Sequence, residues 1–384
     1  MSIADALRES PGADRGAVAG RAAVLSSPGG VFSIEEITLQ KPRRDEILVR
    51  VAGVGVCHTD VVCRGDFPVP LPIVLGHEGA GVVEAVGAGV TRLRPGDHVV
   101  LSFDSCGACP NCARAAPSYC FNFMAANFGG VRPGDGSTPM SRRDGGAVNA
   151  RFFGQSSFAT HLIARERNAV AVPKDAPLDI LGPLGCGIQT GAGSILNSLR
   201  VGRGDAVAIF GAGAVGLSAV MAARIAEAAH VIVVEPNPER RALALELGAT
   251  AALDPRSTED VVAAVKAAGP GGVTHALDTT GIPAVIGSAF QTLLPNGQLG
   301  LVGMPPPDAA LPVNIMDMLA RGVGVKAYVE GDSDPEIFIP QLVGYYLDGR
   351  LPFDRLVKRY RLEDINQAFD DTTTGKSIKP VLVI

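Results

Sequence analysis

The stretch AVAIFGAGAVGLSAVMAARIAEAAHVIVVE, residues 206–235, holds a strand, a glycine turn, a helix and a second strand within thirty residues. The apolar run Ala206–Phe210 leads into Gly211-Ala212-Gly213-Ala214-Val215-Gly216, a complete G-x-G-x-x-G. An Ala-rich helical segment, Ala214–Ala228, follows. The next apolar run, His230–Val234, ends at Glu235, nineteen residues past Gly216. A lone G-x-G-x-x-G is weak, but a strand before it, a helix after it and an acid at this distance are the context a dinucleotide site requires. The glycines let the backbone approach a pyrophosphate at a helix N-terminus, where unpaired N–H groups and the helix dipole favour an anion. Glu235 would take the adenosine ribose hydroxyls and repel a 2′-phosphate, which favours NAD over NADP. Arg240 and Arg241 oppose that choice if they meet a phosphate, and are plain helix-surface charge if they do not.

The same alternation continues on the C-terminal side. Helix Pro238–Leu247, run Ala251–Leu253, helix Thr258–Ala268 and the apolar runs Thr274–Leu277 and Gln298–Val302 extend it, and it fades near Val323–Val325. Alternation of this kind implies βαβ units and a doubly wound parallel sheet, so the fold class is α/β. On the N-terminal side, Gly20 to about Val100 carries short β-branched runs (Glu46–Val51, Gly81–Val86, His98–Leu101) between turn residues, the pattern of a compact β unit. Cys106–Arg151 reads mostly as loop. The apolar tail Pro380–Ile384 is expected to return to the first domain and pair there. The expected division is an N-terminal extension over 1–18, a β-rich domain over 19–187 and 326–384, and the parallel-sheet domain over 188–325.

The chain's 384 residues suffice for two or three domains. With 34 Lys+Arg against 39 Asp+Glu, there is no basic excess of the kind nucleic-acid binding needs. The net charge of −5 argues for solubility. The N-terminal MSIADALRESPGADRG has acids and no apolar run, so no secretory signal is expected. No stretch reaches the roughly 18–20 consecutive apolar residues of a membrane span. A cytoplasmic location follows as an expectation.

Seven cysteines are an odd total, and four of them, Cys106, Cys109, Cys112 and Cys120, fall within fifteen residues. That is poor disulfide bookkeeping and good metal spacing. Four soft ligands in one short loop are what a closed tetrahedral zinc site requires. An iron–sulfur cluster would need a fourth Cys three residues on and followed by Pro, whereas here the gap is seven and Phe121 follows. Unliganded thiols are the remaining alternative, and four loop cysteines would then be open to oxidation. Cys57, His77 and Cys186, each in a Gly-flanked context, would make a Cys2His set with a fourth position left for substrate. Taken singly, each is equally well a small core residue or a satisfied imidazole. Cys63 has no metal role by spacing.

The motif Gly76-His77-Glu78-Gly79-Ala80-Gly81, with Gly87 six further on, resembles the signature of the zinc-containing medium-chain alcohol dehydrogenases. With the Cys quartet, Cys186 and the Gly-rich loop, the resemblance runs from about residue 20 to residue 384. It implies a GroES-like catalytic domain holding two zinc ions per chain, and a Rossmann domain holding NAD. By the same resemblance, Asp60 would accept a hydrogen bond from the non-ligating nitrogen of His77, and Glu78 would be a carboxylate that approaches zinc transiently. Thr59 would hydrogen-bond the alcohol and start its proton toward solvent. Thr190 and the Val302-Gly303-Met304 segment would lie along the nicotinamide, and Lys379 near the pyrophosphate. Many relatives carry a His where this chain has Val62, which leaves the last proton acceptor open. His58 is one candidate, and pyrophosphate contact is its other role.

The implied reaction is reversible oxidation of an alcohol to an aldehyde, with hydride passing to nicotinamide. Phe152–Thr160 and Gly182–Gly193 are similar to the aryl-alcohol branch, so benzylic or allylic primary alcohols lead as substrates. A dehydrogenase of glutathione or mycothiol adducts is the alternative, and a non-catalytic NAD-binding sensor or lens-type structural protein a third reading. A homodimer or homotetramer joined at the Rossmann sheet edge is expected by resemblance, with no nucleic-acid or membrane partner.

Overall fold

The structure, a computed structural model, describes residues 17–65 and 67–384. Most of the extension expected over 1–18 lies outside the described residues, and Val18 already opens the first strand. Eighteen strands among the described residues form three sheets. β1 (Val18–Leu25), β2 (Ser33–Leu39), β4 (Ile73–Val74), β7 (Met140–Arg142) and β8 (Ala147–Val148) make one, in the order β4-β1-β2-β7-β8. β3 (Glu46–Gly55), β5 (Glu78–Val86), β6 (His98–Leu101), β9 (His161–Arg165), β10 (Ala169–Ala171), β17 (Val357–Arg361) and β18 (Lys379–Val383) make the second. Its path runs β10-β6-β5-β3-β18-β17, with β9 also on β3. The tail thus returns to the β-rich domain, β18 lying antiparallel to β3 with Val381 opposite Gly55.

The third sheet is parallel throughout, in the order β13-β12-β11-β14-β15-β16. Its strands are β11 (Ala206–Phe210), β12 (His230–Val234), β13 (Ala251–Leu253), β14 (Val273–Asp278), β15 (Leu293–Leu301) and β16 (Gly324–Ala327). Helices cover both faces, so central strands are apolar at every position and not alternating. All five residues of β11 are at most 1% exposed. The chain order doubles back between β11 and β14, the place where a doubly wound sheet opens a crevice at its carboxyl edge. β16 carries the parallel sheet to Ala327, two residues past the boundary expected from sequence.

The segment expected to be mostly loop holds two short helices, Pro110–Ala113 and Phe123–Phe128, besides β7 and β8. The turns at Cys109 and Cys120 set where these helices begin. Phe123 and Phe128 point back into the core, packing on Phe153 and Phe152.

Candidate active site

The register of β3 on β5 puts Gly55 opposite Glu78. Cys57, two residues beyond β3, and His77, one residue before β5, therefore emerge at the same end of the sheet. Cys57 begins the helix His58–Arg64, and Asp60 in its first turn accepts a hydrogen bond from the Cys57 amide at 3.0 Å. The other Asp60 oxygen accepts from the Gly76 amide at 3.1 Å and meets His77 Nδ1 at 3.0 Å. One buried carboxylate thereby fixes the helix start, the turn before His77 and the imidazole itself. Cys186 arrives from the far side, between the turn Gly182–Gly185 and the helix Gly187–Gly193. The ligand atoms of Cys57, His77 and Cys186 all lie within 4.8 Å of one another.

This set fits a zinc ion. His77 is buried, stacked on Phe153 at 4.4 Å between ring centres and edge-on to Phe152, and its Nε2 has no hydrogen-bond partner. A buried ring nitrogen left unpaired costs free energy unless something accepts its lone pair. Burial opposes charge on His77, but Asp60 and the Cys57 thiol outweigh it and raise its value. The hydrogen bond shared with Cys186, helped by the Lys379 charge, holds the Cys57 thiol well below the usual range against burial.

The four-cysteine set is equally well formed, its sulfurs also within 4.8 Å of one another. All four are free thiols. Backbone amides point at them: Cys109 N donates to Cys106 Sγ at 3.3 Å and Cys106 N to Cys120 Sγ at 3.2 Å. Amides of Cys112 and Phe121 push the Cys109 thiol down to about 6, whereas burial pushes that of Cys120 up to about 12.

A cleft of about 820 Å³ is bordered at once by Cys57, Thr59 and Cys186, by Thr190 and Val302, and by Gly213 and Glu235. His58, Val215, Gly303, Met304 and Arg240 also border it, whereas Val62 does not. Gly211 has a φ of +96°, and a Cβ on Gly216 would lie 2.0 Å from the Gly211 oxygen, so the loop closes only with glycine at both places. Glu235 accepts from Ala212 N at 2.7 Å and Asn237 N at 2.8 Å, bracing the loop it faces. Of the two arginines weighed against NAD, Arg241 is committed to the Glu235 carbonyl and Asp254. Arg240 borders the cleft with Nε buried and unpaired.

Lys379, expected near the pyrophosphate, borders the same cleft. It is 2% exposed, and Nζ lies 2.9 Å from both Glu78 oxygens and 3.2 Å from the Val56 carbonyl. A buried ammonium needs a carboxylate partner, and β18 delivers it to Glu78. Glu78 also accepts from the Gly187 amide at 3.0 Å; burial raises its carboxyl and Lys379 counters.

Sequence reading missed Glu330, which lies in no motif. It is 7% exposed, borders the cleft and accepts from Gln189 Nε2 at 3.0 Å and Thr190 Oγ1 at 3.3 Å. Burial pushes its carboxyl up to about 7. Phe123, Phe128 and Phe153 also border the cleft, and no motif singles them out as cleft residues.

Residues 43–174 match the alcohol dehydrogenase GroES-like domain, and residues 214–342 the zinc-binding dehydrogenase domain. Geraniol dehydrogenase of Castellaniella defragrans is 56% identical over 366 residues, covering 95% of this chain and 98% of that one. The chain belongs to the zinc-binding alcohol dehydrogenase family. Among solved structures of this family, benzyl alcohol dehydrogenase of Acinetobacter calcoaceticus is 42% identical with a TM-score of 0.92, covering 96% and 99% of the two chains. S-(hydroxymethyl)glutathione dehydrogenase of Paracoccus denitrificans is more distant, 32% identical over 374 residues and covering 94% and 99%. A zinc alcohol dehydrogenase has the GroES-like and Rossmann arrangement found here.

Proposed function

We propose that this protein oxidises benzylic or allylic primary alcohols to aldehydes, reversibly, with NAD as hydride acceptor and two zinc ions per chain. The observation that carries the reading is the unpaired Nε2 of His77, facing Cys57 and Cys186 at the head of a cleft that also holds the dinucleotide loop. Cys57, His77 and Cys186 would hold one ion, which when bound supplies a Lewis acid to lower the alcohol's pKa. Cys106, Cys109, Cys112 and Cys120 would hold the other in a closed, structural set.

The chain's own groups do the rest. Thr59, on the same helical turn as Cys57 and bordering the cleft, receives the alcohol proton. His58, exposed at the cleft mouth, either takes that proton on or contacts the pyrophosphate. Thr190 and Val302, which border the cleft, would hold the nicotinamide ring between them and the Cys57 end. Glu235 meets the adenosine ribose and disfavours a 2′-phosphate, and the unpaired Arg240 Nε adjoins the same end.

The substrate class is supported by Phe123, Phe128 and Phe153, which give the Cys57 end an apolar aromatic wall suited to a flat unsaturated chain or ring. The similarity to geraniol and benzyl alcohol dehydrogenases points the same way. A homo-oligomer is supported by β16, whose outer edge is unpaired among the described residues, and by the exposed Ile315, Met316 and Leu319 beside it. No helix among the described residues is long and apolar enough to cross a membrane, in keeping with a cytoplasmic enzyme.

A panel of geraniol, benzyl alcohol, ethanol and formaldehyde with and without glutathione, each with NAD and NADP, tests the reading. Turnover of the first two with NAD is expected. Turnover confined to the thiol adduct would replace the substrate assignment. Metal analysis should find two zinc ions per chain, and Cys57→Ala should keep one of them while losing activity.

A further inference from the structure

Glu330 is a buried carboxylate that accepts from the neutral side chains of Gln189 and Thr190, adjoins the Cys186 thiol, and has no ion-pair partner among the described residues. A charge placed in this way is costly unless a cation comes to it. The backbone is built to keep it there. Glu330, Gly331 and Asp332 have φ of +52°, +63° and +51°, three left-handed residues in a row. Two of the three are not glycine and are strained in that region. A Cβ on Gly331 would stand 2.6 Å from the Gln189 oxygen and 2.8 Å from Gly193 Cα, so the turn is pressed directly onto the helix that follows Cys186.

The turn is held from outside by the four-cysteine lobe. Tyr119, the residue before Cys120, hydrogen-bonds the Asp332 carboxylate through its hydroxyl, which also accepts from the Val329 amide at 3.4 Å. Asn111, between Cys109 and Cys112, ties the Tyr119 carbonyl to that lobe at 2.7 Å. Lys326 bonds Asp332 at 3.2 Å and lies over the Tyr119 ring.

We propose that the Glu330 carboxylate biases the cleft toward the oxidised, cationic nicotinamide over the reduced, neutral one, and that Tyr119 is the positioning residue that holds it in place. The inference rests on the reading above that the nicotinamide lies against Thr190, the side chain Glu330 touches. The oxidised ring carries a positive charge that disappears on hydride transfer, so a nearby fixed anion stabilises one redox state selectively.

The test is binding, not turnover. Dissociation constants for NAD+ and NADH are measured separately by titration calorimetry on the zinc-loaded full chain, for wild type, Glu330→Gln, Tyr119→Phe and the double variant. Glutamine keeps the shape and an acceptor but removes the charge. Glu330→Gln should weaken NAD+ by about tenfold relative to NADH. Tyr119→Phe should shift the ratio in the same direction by less, and the double variant should match Glu330→Gln alone, the non-additivity expected of residues acting through one element. An unchanged ratio in Glu330→Gln overturns the proposal, as does loss of a zinc ion from that variant, which would show the carboxylate serving the metal set. An unchanged ratio in Tyr119→Phe overturns the positioning role. If wild type bound neither form of the cofactor, the cofactor reading itself would fail together with the proposal.

Discussion

Glu46 shows how much one side chain away from the cleft can govern. Its carboxylate, 3% exposed, takes both arms of Arg132, at 2.7 and 2.9 Å, and the Arg43 amide at 2.9 Å. Burial pushes its carboxyl up, but Arg132 and the Arg43 amide outweigh it and hold the net value below 4.5. A depressed folded value means stabilisation that is complete above the unfolded value and lost as pH falls through the folded one. Glu46→Gln leaves Arg132 buried without its anion and should cost about 3 kcal/mol at neutral pH. In urea melts run at successively lower pH, the gap between the two proteins should narrow below 4.5; a gap independent of pH would show that packing, not charge, is at stake. Little of this was legible beforehand. The two Cys/His groups proposed to hold metal were, because Cys and His are rare in this chain and their spacing has few meanings. Glu330 and Lys379 were not, because what they do depends on Gln189 and Glu78, residues 141 and 301 positions away along the chain.

Among the elements, the strand–glycine turn–helix at 206–235 was readable because three signals coincide there: a wholly apolar run, a fixed glycine pattern and helical composition. The β-rich half was readable as a class but not as sheets, since short runs such as Ile73–Val74 and Ala147–Val148 carry no period long enough to detect. The segment 106–151 was legible only through its cysteines. Its helices Pro110–Ala113 and Phe123–Phe128 are too short to hold together alone, so the four-cysteine cluster and the Phe cluster must organise them. Cys109→Ser should therefore leave one zinc ion per chain instead of two and lower the melting temperature by roughly 5 °C. The ion at Cys57, His77 and Cys186 should remain, which metal analysis after dialysis would check; loss of both ions would show that the two sets are not independent.

At the scale of the whole molecule, the parallel sheet ends in an uncovered strand. β16 pairs with β15 on one side only, among the described residues, and the preceding helix, Ile315–Arg321, presents Ile315, Met316 and Leu319 at 80%, 70% and 75% exposure. An apolar patch beside an open edge is what a second copy of the chain would cover. Light scattering should find a dimer or tetramer, and Leu319→Glu should shift it toward monomer with the cleft's cofactor affinity retained. A wild-type monomer would refute that assembly.

The position of β18 has one more consequence. Strand β3 and the Cys57–His77 region are made early on the ribosome, but Lys379, the buried counter-charge of Glu78, belongs to a strand synthesised after the entire cofactor domain. Until residues 379–383 emerge and dock on β3, Glu78 stands beside the ligand set with no cation against it. Completion of this centre is thereby tied to translation beyond the cofactor domain, and a nascent chain stalled anywhere in that domain carries Cys57, His77 and Cys186 without the Lys379 counter-charge.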